Sequence, residues 1–538
     1  MSFLSAQPIP AQSQSLEDRV SSFDQFAARF AARWPEWITL ALYATLVGFA
    51  IPYHEPWADE AQAWQLARSL SLHDLFHTYL RYEGSPGLWH LLLWILNRLH
   101  VSYAGMHWIS GGIALLGVSV LVLCAPFPRY IKLALPFTFF LAFQYAVVAR
   151  NYVLVPLLLF IIAALWKKGP IAVAILLGLL GNVALHALAI SAGFAIVYII
   201  ERRRVRARGE EVCGSTTELI TAGCLLLALY AFAVWTMLPP ADVYVGNITA
   251  PVTTRGIHLP GGWRQGVFQV SISLLYGVTE PMVFGIPLWI AAVYALRKRR
   301  QTFYLLPAAA FALCSLVYLM FWHAGLVVPT MIAILWIAQI DCPRLRWPAT
   351  SEATALMAVV IYLFAVQLGW TIHAVLYDRF YNYSPDRAAA QFLRPYVESG
   401  DEIGVTYLAE RGAAQGAHAI GILPYFPRQI YMNMDRPFWW WSTRNTTEAN
   451  FDRALLDRPP IVLVEYFDFT ALHPFAISSA LTDPRANRLR ESGYGLTHVF
   501  CGEQPIRFAY DIRICHFIFE RNDGVVSTKS PIRDGWGF

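Results

Sequence analysis

Residues 54–86 read HEPWADEAQAWQLARSLSLHDLFHTYLRYEGSP, so His54, Glu55, Asp59, Glu60, Asp74, His77 and Glu83 crowd ionisable groups into one short stretch. In a chain that otherwise avoids charge, such a gathering beside apolar sequence points to chemistry. A carboxylate held there, Asp59 with Glu60 beside it, can take the proton from an acceptor hydroxyl while that oxygen attacks an activated carbon. A phosphate leaving group would need cationic or N–H partners at the membrane boundary. Arg150 in VVARNYVL and His323 in FWHAG end apolar runs where such a partner is wanted, and His54 and Glu83 flank the carboxylate pair. Plainer roles compete at each position. Asp59 suits the N-cap of a helix running to Leu70, with Gln62 closing a capping box and Ala63, Trp64 and Ala67 facing membrane or protein. Capping and catalysis are compatible, because a helix N-terminus fixes a carboxylate rigidly. Arg150 also suits a snorkelling interfacial arginine, and His186 and His323 suit structural roles.

The elements that must position these groups follow from composition. Of 538 residues, 57% are hydrophobic and only 14% charged, more apolar surface than one soluble core requires. Apolar runs recur from Trp37 to Leu376, separated by Lys/Arg clusters, as for an α-helical polytopic membrane protein. The runs are Trp37–Tyr53, Met106–Ala125, Leu133–Ala149, Tyr152–Trp166, two between Ile171 and Ile200, Leu219–Leu238, Met282–Leu296, Phe303–Trp322, Leu326–Ile340 and Ala355–Leu376. Gly87–Leu99 is too short to cross and reads as interfacial or re-entrant. About eleven spans result, with Lys167-Lys168, ERRRVRAR at Glu201–Arg208 and RKRR at Arg297–Arg300 on the cytoplasmic side. This puts the N-terminal segment 1–36 inside, and outside it puts loops 54–86 and 239–281 with everything after residue 377. The net charge of +5 is explained by these anchors, with no need of nucleic acid.

After Tyr377 the pattern changes to that of a small extracytoplasmic α/β domain, residues 377–522, with a tail at 523–538. Ser384–Val397 has helical spacing, Glu402–Leu408 and Pro460–Glu465 read as buried strands, and Arg507–Glu520 alternates like an edge hairpin. Cys501 and Cys515 fall on strand-like runs that could pair, and a disulfide is open to them if the domain is extracytoplasmic. The run Arg436-Pro437-Phe438-Trp439-Trp440-Trp441 could stack on sugars or sit at the interface; packing the small domain onto the membrane domain is the simplest reading.

WADEAQAW followed by YEGSPGLWHLLLW resembles the first outer loop of the GT-C superfamily of polyprenyl-phosphate-dependent glycosyltransferases. That superfamily includes protein O-mannosyltransferases and the lipid A aminoarabinose and galacturonic acid transferases. The motif positions fall on Asp59, Glu60, Glu83 and Pro86, and ARNYVL with Arg150 resembles the family's arginine-containing outer turn. The resemblance implies inverting transfer from a polyprenyl-phosphate sugar to an extracytoplasmic hydroxyl of a glycolipid, polysaccharide or protein. Asp59 would be the base, in a multi-pass membrane of bacterial inner-membrane type. One departure is that Asn151–Leu159 carries no acid where many members have a second aspartate. No cofactor is therefore assigned, and a divalent metal stays open. Two other classes compete. A transporter or flippase of lipid-linked saccharide would show repeats or charged mid-membrane helices, and a degenerate GT-C-like scaffold would not need Asp59.

Overall fold

The structure, a computed structural model, describes residues 32–211, 213–243, 262–298, 300–319, 321–341, 351–382, 384–408, 419–468, 482–506 and 510–522. Most of the expected N-terminal segment, part of the loop 239–281 and the tail 523–538 lie outside them. Helices α1 (Trp34–Ala50), α2 (Ala58–Ser69), α3 (Leu88–Arg98), α4 (Tyr103–Cys124), α5 (Leu154–Leu165), α6 (Pro170–Gly181), α7 (Leu185–Ala207) and α8 (Thr216–Met237) come first. They are followed by α9 (Gly262–Ser271), α10 (Ile286–Lys298), α11 (Leu306–Ser315), α12 (Val327–Asp341) and α13 (Ser351–Phe380). Their ends are written in the sequence: Ser102 and Ser215 cap α4 and α8 through the N–H groups of Gly105 and Glu218, and Pro170 opens α6. Among the described residues, six segments, Trp34–Tyr53, Tyr103–Cys124, Leu185–Ala207, Thr216–Met237, Trp322–Ile340 and Val360–Phe380, are long and apolar enough to cross a membrane. Four shorter apolar helices accompany them. The chain is thus a polytopic helical membrane protein with a small C-terminal sheet. Helix α3, with 11 residues, spans only about 16 Å, roughly half of a hydrocarbon core.

One expected span is not a helix. Residues 133–149 pass from Arg129–Ala134 through a 3-10 turn, Leu135–Phe137, and a π turn, Phe140–Gln144, and then through irregular backbone. Pro136 stops the first helix because it brings no N–H and its ring clashes with the preceding turn. Residues 138–149 are all buried, so their apolarity fills the inside of the bundle rather than facing lipid. Gln367 of α13 supports the irregular backbone nearby, accepting from Phe139 N and donating to Gly277 O and Val278 O.

Close helix approach depends on small residues. A Cβ on Gly193 of α7 would lie 2.4 Å from Pro307 Cα and 2.7 Å from Pro307 N, backbone atoms of α11 that cannot swing aside. Gly193→Val is expected to cost about 1–3 kcal/mol, read as a lower melting temperature in detergent, whereas the same change at Gly223, whose Cβ direction is empty, should leave it unaltered.

The C-terminal domain begins with α14 (Asp386–Glu398) and holds strands β1 (Gly404–Leu408), β2 (Ile461–Asp468), β3 (Tyr494–Ile506) and β4 (Tyr510–Arg521), with α15 (Pro484–Glu491) before β3. The order is β1-β2-β4-β3, with β1 parallel to β2 and the other pairs antiparallel. The stretch read as an edge hairpin therefore contributes an interior strand: β4 lies between β2 and β3, with Ile518 buried on one face and Cys515, Phe517 and Phe519 on the other. Cys501 and Cys515 are opposite one another in the β3–β4 register and form a disulfide.

Candidate active site

Helix α2 carries the centre of the site and is buried on two sides. Ala61, Ala63, Trp64 and Ala67 pack into the membrane bundle, while the C-terminal domain holds its other side. Arg68 donates to Phe426 O at 2.9 Å, and Gln62 accepts from Trp439 N and donates to Trp439 O, at 3.0 and 2.5 Å. The aromatic run adds to this seam: Phe438 and Trp440 meet Tyr79 edge-on, and Trp440 also meets Tyr82.

The cap of α2 differs from expectation. The N-cap is Trp57, and Glu60, at the third helical position, reaches back to accept from Trp57 N at 2.6 Å. Asp59 is the second residue of the helix and Gln62 belongs to the domain seam. Because Glu60 satisfies the helix terminus, the Asp59 carboxylate is released from capping. Glu60 is fully buried and also accepts from Ala149 N at 2.7 Å, with His107 Nε2 at 3.1 Å and His54 Nε2 at 3.3 Å. His54, expected near a lipid phosphate, is instead buried behind α2, its Nδ1 2.8 Å from Asp378 of α13. Both its ring nitrogens face carboxylates, so both donate. Burial opposes this charge, but Glu60 and Asp378 outweigh it and raise His54 to about 10. Burial likewise opposes ionisation of Glu60, yet His54 and His107 hold its carboxyl well below the usual range.

Among the described residues, His54, Glu60 and His107 are the group whose ligand-type atoms lie within 4.8 Å of one another. They could hold a metal only if His54 gave up a proton it shares with Glu60. As arranged, the cluster closes as a compensated hydrogen-bond network.

Asp59 faces the other way. Its side chain is 53% exposed and its Oδ2 lies 2.5 Å from Arg150 Nη1, whose side chain is 19% exposed. Arg150 precedes the 3-10 turn Asn151–Val153, which Asn151 fastens by donating to Val183 O. Its guanidinium lies 5.5 Å from the ring centroid of Tyr152 and 5.6 Å from that of Trp322, a seating that orients it towards Asp59. Glu83, half-buried at the end of a short helix before the left-handed Gly84, accepts from Gln62 Nε2 at 2.7 Å. Burial, with the charge of Asp59 adding to it and Gln62 and Arg150 opposing, pushes Glu83 up to about 7.

That value sets a pH dependence. The folded chain keeps a proton on Glu83 that the unfolded chain releases near about 4.3. This stabilisation is complete at low pH and is lost as the pH rises through about 7. The melting temperature of wild type is therefore expected to fall more between about pH 5 and pH 8 than that of Glu83→Gln; parallel curves would contradict it.

His323 is near but does not serve as a cation. The Trp322 indole N–H donates to its Nε2 at 3.1 Å and Tyr152 Oη lies 2.7 Å from the same atom, so that nitrogen accepts. Its ring stacks on His186 at 4.3 Å. Asp74 stays apart, pairing with Ser71, and His77 stacks on His73.

Several residues escaped notice in the sequence. His90 is buried, kept neutral by burial and by the charge of Arg150, which push it down to about 4, and among the described residues no protein group bonds either of its ring nitrogens. A single histidine in GLWHLLLW was its signal. Asp378, an acid at the end of the last apolar run, was signalled in the same way, whereas nothing local marks His107 or Trp439. Comparison with protein-family models, characterised proteins and solved structures finds no match to this chain.

Proposed function

We propose that the chain is a membrane glycosyltransferase, moving a sugar from a polyprenyl-phosphate donor to a hydroxyl of a glycolipid, polysaccharide or protein, with inversion. The observation that carries this reading is the pair Asp59–Arg150: an accessible carboxylate against a guanidinium, both held from behind by buried hydrogen bonds. Asp59 takes the proton of the acceptor hydroxyl as that oxygen bonds to the anomeric carbon. The carbon–oxygen bond to the phosphate breaks, its electron pair stays on the phosphate, and Arg150 stabilises the charge formed there. Trp322 offers an aromatic face to the sugar, and neutral His90 and half-protonated Glu83 offer hydrogen bonds. Glu60 and His54 act as positioning residues through α2. In this reading the N-terminus lies inside, and loop 54–86 and the C-terminal domain lie at the outer face of a bacterial-type inner membrane.

The test uses a deletion strain carrying either the wild-type gene or Asp59→Asn at matched protein levels, with surface glycolipid, polysaccharide and glycoprotein profiled by mass spectrometry. One sugar addition that returns with wild type alone supports the reading, and its mass identifies the sugar. Equal restoration by both genes, or no sugar difference with either, sinks it.

A further inference from the structure

Between Arg150 and Trp322 in the chain, α6, α7 and α8 enclose a cleft of about 450 Å³. Its walls are apolar, with Val173 and Leu177 from α6, Ala195 and Ile199 from α7, and Ala222 and Leu226 from α8. One end is different. There the last turns of α7 bring Arg202, Arg203 and Arg206 into the lining, beside the first turns of α6 and α8 at Pro170 and Leu219. Among the described residues no carboxylate lines the cleft, and Glu218, Glu210 and Glu201 nearby are engaged elsewhere. Glu218 caps Ser215 N, Glu210 pairs with Arg208, and Glu201 accepts from Trp166 and Tyr304. Among the described residues none of the three arginines has an ion-pair partner. Arg202 is nine-tenths buried and fixed by its bonds to Cys213 O and Gly214 O, so its charge cannot leave the cleft. Arg203 and Arg206 are exposed. The N-termini of α6 and α8 at this end outnumber the single C-terminus of α7, so the helix dipoles there are net positive. Around the cleft, Ile175, Ile196, Ile220 and Leu227 are exposed, as lipid-facing residues of membrane helices are.

An occupant must therefore be an amphiphile with an anionic head at one end and hydrocarbon along its length. We propose that this cleft binds an anionic phospholipid of the leaflet around the end of α7, its phosphate on Arg202, Arg203 and Arg206 and an acyl chain along the apolar walls. The proposal is independent of the reading of the outer site.

The experiment is native mass spectrometry of the purified full chain, delipidated in detergent and offered phosphatidylglycerol, phosphatidylcholine or undecaprenyl phosphate in turn. Wild type should retain phosphatidylglycerol over phosphatidylcholine, and Arg203→Gln/Arg206→Gln, both exposed, should lower that retention about tenfold or more. Gly223→Trp fills the cleft from a position where a Cβ meets nothing and leaves every charge in place; it too should abolish retention. Retention unaffected by Gly223→Trp would mean diffuse surface attraction and overturn the site, as would equal retention of phosphatidylcholine. Retention of undecaprenyl phosphate alone would assign the cleft to a polyprenyl phosphate and overturn the phospholipid assignment.

Discussion

Under the proposed function, purified Asp59→Asn protein is expected to transfer sugar about 100- to 10,000-fold more slowly than wild type, while its melting temperature stays nearly unchanged. The amide keeps the shape of the side chain and can still touch Arg150, but it cannot accept the acceptor's proton. Stability is spared because Asp59 is about half exposed and does not cap its helix, and an accessible ion pair contributes only about 0–1 kcal/mol. Single-turnover transfer and a thermal melt on the same preparation separate the two effects. Activity within tenfold of wild type would remove Asp59 from the chemistry. Slow transfer with a strongly lowered melting temperature would mean that the side chain is structural.

Glu60→Gln, one position along, is expected to do the reverse. Its carboxylate accepts from Trp57 N and Ala149 N and faces His54 and His107, all within the buried interior. A glutamine turns one acceptor oxygen into a donor that faces another donor, and it leaves charged His54 with Asp378 alone. Breaking one partner of a buried pair costs about 3–5 kcal/mol, enough to remove most of the folded protein. The measurement is the yield of monodisperse chain in size-exclusion chromatography, together with its melt. If Glu60→Gln folds and melts like wild type but is inactive, Glu60 takes part in the reaction itself, as its place beside Asp59 in the sequence first suggested.

The contrast between these neighbours shows how much of the site was legible. That residues 54–86 gather ionisable groups could be read directly, because charge is rare in this chain and therefore conspicuous. Which carboxylate caps and which is free could not be read, because it depends on the helix beginning at Ala58, after Trp57, a matter of one residue. Apolar composition located the bundle, but it does not distinguish a lipid-facing run from a buried one, so residues 133–149 read as a lipid-facing helix although Pro136 interrupts them and the bundle buries 138–149. The strands were visible as hydrophobic runs, whereas their order was not. An interior β4 differs from an edge strand only in having both faces covered, which other elements decide. Partners such as Asp378 for His54 and Trp439 for Gln62 are separated by 324 and 377 residues, and no local pattern encodes them.

The grip of Trp439 on Gln62 has a consequence in time. A ribosome adding about 5–20 residues per second needs about 20–75 s to travel from one to the other. Once Arg150 has been added, the nascent chain carries both it and Asp59, but α2 still lacks the bonds that Phe426 and Trp439 will supply. The seam around α2 can be completed only after Trp439 has been made, so a chain cut short anywhere before it leaves an unfinished centre. Translation itself acts as the clock that decides when this protein can begin to work.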